Sequence, residues 1–130
     1  MGTNGFEIGK KFSFNNSISY ADKAIVSKIV LKSEMGDISL FAFDKDEGLS
    51  EHSAPYEAVV SIVDGKADII IAGDSNILEA GETIVMPANI PHALKAIEQF
   101  KMVLTMIKSK KWKHYTNQLD KELNLNVNSI

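Results

Sequence analysis

The stretch "GETIVMPANIPHALKA", residues 81 to 96, decides how the rest of the chain is read. After Gly81 and Glu82, "TIVM" is a β-branched run that suits a strand. Pro87 and Pro91 then interrupt it, because each fixes φ and lacks a backbone donor, and Asn89 between them suits a turn. His92 stands at the head of the next strand-like run, "HALKAI". A counterpart lies forty residues earlier: His52 in "EHSAP", beside Pro55 and ahead of "AVVSIV". One histidine in such a place is ordinarily a hydrogen-bonded structural residue. Two at equivalent places are compatible with convergence from neighbouring strands of one barrel.

Outward from that stretch the same pattern repeats. From Lys23 to Lys108 the chain is a series of short apolar runs: "AIVSKIVL", "ISLFAF", "AVVSIV", "ADIII", "TIVM", "HALKAI" and "KMVLTMI". Gly36, Gly48, Gly65, Gly73 and Gly81 punctuate them at the spacing of an all-β sandwich or barrel, not of strands alternating with helices. "VDGK" and "AGDS" each place Gly next to Asp and predict tight turns with a positive φ.

The two ends differ. Residues 1–22 read as a loose lead-in, with "KKFSF" as a candidate edge strand, and residues 23–108 as the barrel. In 109–130 the periodicity becomes helical: Trp112, Tyr115, Leu119 and Leu123 fall on one face, Lys110, Lys111 and Lys113 lie off it, and Ser109 suits the N-cap. This predicts a short C-terminal helix with its apolar stripe on the barrel, and His114 as a surface residue of that helix.

Composition narrows the function classes. The 130 residues suit one domain, with 45% hydrophobic residues to build a core. A net charge of −3 gives no electrostatic footprint for nucleic acid or a membrane surface, and the lysines near Trp112 do not change that. The absence of cysteine excludes disulfides, thiolate zinc sites and cysteine nucleophiles. "MGTNGFEIGKK" has neither the apolar core of a secretory signal nor the Ser or Thr of a myristoylation signal at Phe6, and no apolar run approaches a membrane span, so the expected location is the cytoplasm.

The residues quoted at the outset also carry a family resemblance. The chain resembles the cupins, small jelly-roll β-barrels (double-stranded β-helices, RmlC-like) marked by two motifs. The second motif fits "GETIVMPANIPHALKA": Gly81, five residues, Pro87, then His92 at the family spacing, with Asn89 in place of a glycine and Ala96 in place of the final asparagine. The first motif is degenerate. His52 matches one of its histidines, but Ala54 stands where the second histidine belongs and Ala58 where the glutamate belongs, and Gly48 is two residues nearer than the pattern asks. In cupins those three side chains join the histidine of the second motif as metal ligands. Only His52 and His92 carry over, too few for firm binding, so the expected cofactor is none or a weakly held divalent metal. Glu57 and Glu51 are the nearest carboxylates, but strand alternation points each away from its neighbouring site position.

Small side chains at two ligand positions leave room. Interior parity makes Val60, Leu94 and Ala96 candidates to line a pocket, with Met102, Leu104 and Met106 from the last run. Two histidines in an apolar wall suit a small, mostly apolar ligand with one polar or anionic group. The expected function is therefore small-molecule binding near His52 and His92. The alternative that the resemblance leaves open is a metal-dependent isomerase, decarboxylase or dioxygenase. The resemblance also implies a homodimer.

Other constellations carry less. Asp44, Asp46 and Glu47 read as a solvated acidic turn, "GKADIIIAG" lacks the elements of a phosphate loop, and no nucleophile elbow surrounds Ser50, Ser53 or Ser61.

Overall fold

The computed structural model describes residues 6–108, so the expected C-terminal helix lies outside the described residues. Among the described residues seven strands form: β1 (Ile25–Ser33), β2 (Gly36–Phe43), β3 (Gly48–His52), β4 (Glu57–Ile71), β5 (Asp74–Glu79), β6 (Thr83–Met86) and β7 (His92–Ile107). They pair in the order β1-β2-β7-β4-β5, with β3 added to β7 and β6 to β4. All pairings are antiparallel.

The two long strands make the barrel. Residues 100–107 of β7 pair with β2, while residues 92–95 pair with β3. Residues 58–61 of β4 pair with β6, while residues 66–71 pair with β5. Each long strand thus belongs to two sheets that face one another, the jelly-roll form of the double-stranded β-helix. Between the sheets lie Phe43, Val60, Ile62, Ala67, Ile69, Leu94, Ala96, Phe100 and Met102, all buried. Phe43 and Phe100 stack with ring centroids 4.4 Å apart.

Several elements depart from the sequence reading. "AVVSIV" and "ADIII" are one strand, and so are "HALKAI" and "KMVLTMI". The expected tight turn at "VDGK" is instead an irregularity inside β4, where the β4–β7 register shifts between Ile62 and Asp64 and between Gly65 and Ala67. Gly65 has φ +80°, and a Cβ there would come within 1.7 Å of the Gln99 carbonyl oxygen. The turn at "AGDS" does form: Ala72 (φ 52°) and Gly73 (φ 83°) join Ile71 to its partner Asp74 in a two-residue hairpin. Two further strands, β3 and β5, arise where no apolar run stands, since β5 buries only Leu78 and β3 buries no residue. They are strands because β7 and β4 offer them ladder partners.

From residue 6 on, the lead-in is not loose, and "KKFSF" is not a strand. Among residues 6–24 the only regular element is a 3-10 turn at Asn15–Ser17. Ile18 is buried against Leu40, Ala42 and Val103 on the outer face of the sheet, with Phe6, Phe14 and Tyr20 packed around them. Lys101 Nζ donates to the Asn15 carbonyl (2.6 Å) and Lys28 Nζ to the Ser17 carbonyl (2.7 Å), which fixes the segment at both ends of the turn. That outer face is apolar, so the chain covers it.

Candidate functional site

β3 and β7 bring the two histidines together. In their ladder His52 is the direct partner of His92, at the end of one strand and the start of the other. His52 therefore ends β3; it does not head a strand as the sequence suggested. The imidazoles meet edge to face with centroids 4.4 Å apart and an interplanar angle of 67°. His92 is buried at 7% exposure, whereas His52 is exposed.

Both rings are anchored in the same way. His52 Nδ1 lies 2.9 Å from the Ser50 carbonyl oxygen, and His92 Nδ1 lies 3.2 Å from that of Ile90. A carbonyl oxygen only accepts, so Nδ1 carries the hydrogen in each ring. In the neutral imidazoles Nε2 is then left with its lone pair, as hydrogen-bond acceptor or base.

The two rings border a cavity of about 70 Å³. Of the candidates read from sequence, His52, His92, Leu94, Met102, Leu104 and Met106 line it. Val60 and Ala96 do not: both have interior parity and lie in the core, but at other positions along it. Phe41, Leu49, Tyr56 and Met86 also line the cavity and were not foreseen. Phe41 and Met86 stand in quoted apolar runs and Tyr56 just before one, but nothing in a run tells how far along the barrel axis each residue falls, and Leu49 lies in β3, which no run announces.

Ala54, Tyr56 and Ala58 all line the cavity. Alternation thus continues through Pro55, and the two alanines face the same space as the histidines. The loop is held by the backbone of Asn89, whose N–H donates to the Ala54 carbonyl (2.7 Å) while its φ of 64° is the left-handed turn that the sequence led one to expect there. Glu57 does not line the cavity, nor does Glu51.

The model of the Cupin domain family matches residues 39–108. The chain is a cupin. A crystal structure of a conserved protein of unknown function from Streptococcus pyogenes is 33% identical to this cupin, covers 83% of this chain and 95% of its own, and superposes with a TM-score of 0.77. A cupin 2 conserved barrel domain protein from Leptotrichia buccalis is 36% identical over 75% of this chain, with a TM-score of 0.73. This cupin spans 47% of that longer chain. A cupin superfamily protein from Desulfitobacterium hafniense, 21% identical over 84% of this chain and 100% of its own, shares the fold with a TM-score of 0.76. No curated protein matches the chain.

The donors that the described residues bring to the cavity are too few for a firmly held metal. Among the described residues no group of three or more His, Asp or Glu side chains converges. The cavity offers two imidazole nitrogens where a zinc site uses three or four protein ligands. Alanine side chains at positions 54 and 58 supply no donor. The two rings offer hydrogen-bond acceptance at Nε2, beside an apolar space.

Proposed function

We propose that this cupin binds a small, mostly apolar molecule that presents one polar hydrogen to the imidazole pair. The single observation that carries the reading is the anchoring of both Nδ1 atoms on backbone carbonyls, which leaves Nε2 as the acceptor on two rings that line an apolar cavity. A hydroxyl, a phenol or an undissociated carboxylic acid satisfies Nε2 by donating to it. The cavity is far smaller than the roughly 300–1,000 Å³ of sites for drug-sized ligands, so the apolar tail is limited to a few heavy atoms. Of the two bordering rings, His52 is exposed to solvent and His92 is buried.

The test is a panel of short-chain alcohols, phenols and carboxylic acids, followed by NMR of the methionine methyls. Binding should move the resonances of Met86, Met102 and Met106, and His92→Ala should weaken it by about tenfold, the equivalent of one hydrogen bond to a fixed acceptor. Binding that is unchanged in both His52→Ala and His92→Ala, or a panel that leaves all three methyls unmoved, would overturn the proposal.

A further inference from the structure

Where the described residues stop, an apolar groove lies open on the barrel. Leu31 in β1, Met35 in the β1–β2 hairpin and Ile107 at the end of β7 are 56%, 59% and 37% exposed. Ile38 and Met106 complete the groove, which has a volume of about 220 Å³. Exposed apolar side chains are ordinary when scattered, but a contiguous set on one groove marks a surface that something covers. Asp37 sits in the same groove: its Oδ2 pairs with Lys108 Nζ at 2.7 Å, while its Oδ1 is buried and has no hydrogen-bond partner among the described residues. A buried acceptor of that kind calls for a donor.

We propose that residues 109–130 of this same chain cover the groove, with the stripe Trp112, Tyr115, Leu119 and Leu123 laid on Leu31, Met35 and Ile107. The point of departure supports it. The Lys108 N–H donates to the Met35 carbonyl at 2.8 Å, so the segment leaves from the rim of the groove and has no distance to span. The length is sufficient, since the eleven steps from Trp112 to Leu123 extend about 16 Å as a helix. The chemistry matches as well: the stripe is apolar, and Ser109, Lys110 and Lys111, which follow Asp37's ion-pair partner Lys108 in the sequence, carry hydroxyl and ammonium donors. A tethered segment also has an advantage over a second copy, because its docking is intramolecular and loses far less translational freedom. Met106 lines both the groove and the histidine cavity, so the seated segment borders the cavity wall.

Trp112 is the chain's one tryptophan, which makes the test direct in the full-length protein. Its fluorescence should be blue-shifted and shielded from acrylamide, and the shielding should not change on dilution. Leu31→Glu and Met35→Glu each place a charge on an exposed groove position; each should raise quenching to the level of free N-acetyltryptophanamide with the far-ultraviolet circular dichroism of the barrel intact. An indole already fully quenched in the unaltered protein would overturn the proposal, as would shielding indifferent to both substitutions. Shielding lost on dilution would assign the groove to a second copy and overturn it equally. None of these readouts involves His52 or His92, so the outcome is independent of ligand binding.

Discussion

Ala54 and Ala58 both face the cavity that His52 and His92 border, so a longer side chain at either position would enter the same space. The alternation that carries this parity through Pro55 also sets what a substitution should do. Ala54→His combined with Ala58→Glu should create four converging ligands, and calorimetric titration should show affinity for a divalent metal at least about tenfold above that of the unaltered protein. A folded double variant with unchanged affinity would mean that positions 54 and 58 do not converge with the histidines. Neighbouring Glu57 belongs to the opposite face of β4, which is why one residue of displacement separates a site position from an outward one.

At the scale of elements, the bends in β4 and β7 let two strands serve two sheets. Gly65 is the tightest point of the bend, with φ +80° and no room for a Cβ against the Gln99 carbonyl. Gly65→Ala should therefore cost about 3 kcal/mol or more in urea unfolding, because positive-φ strain and a backbone clash add. Gly73 is the control: its φ is +83° but nothing lies within 4 Å of a Cβ there. Gly73→Ala should cost only the conformational strain, about 1–2 kcal/mol. Equal losses at the two glycines would show that close approach at the bend is not what fixes Gly65.

Across the whole molecule, the sheet of β1, β2 and β7 is apolar on both faces, and the lead-in closes the outer one. Its bond to the bend is the Tyr20 hydroxyl, which donates to the Asp64 carboxylate. Burial first, then the hydrogen bond and charge of Asp64, push the phenol above its ordinary range. Tyr20→Phe should lower stability by about 1.5 kcal/mol near neutral pH, the worth of a hydrogen bond to a charged group. The fold favours the protonated phenol, so this contribution is complete below the ordinary phenol pKa of 10.0 and declines as pH rises beyond it. Urea unfolding of the two proteins should accordingly converge in strongly alkaline buffer; a difference that widens there would contradict the assigned cause. No helix among the described residues is long and apolar enough to cross a membrane.

The all-β class was legible in the sequence because β-branched runs and glycine spacing act locally, through strand sterics and turn conformation. The hairpin at Ala72 and Gly73 and the placement of His92 after a two-proline break were legible for the same reason. Only the tertiary structure decided that "VDGK" bends a strand and does not reverse it, since Gly65 answers to the nearby Gln99 backbone, remote in sequence. β3 and β5 likewise became strands through partners they could not announce in their own composition. Parity identified Val60, Leu94, Ala96 and Met102 as interior and all four lie in the core, yet of these only Leu94 and Met102 also reach the cavity, with Leu104 and Met106. Alternation fixes which face a side chain takes, whereas its depth along the barrel axis is set by ladder registers between strands far apart in the chain.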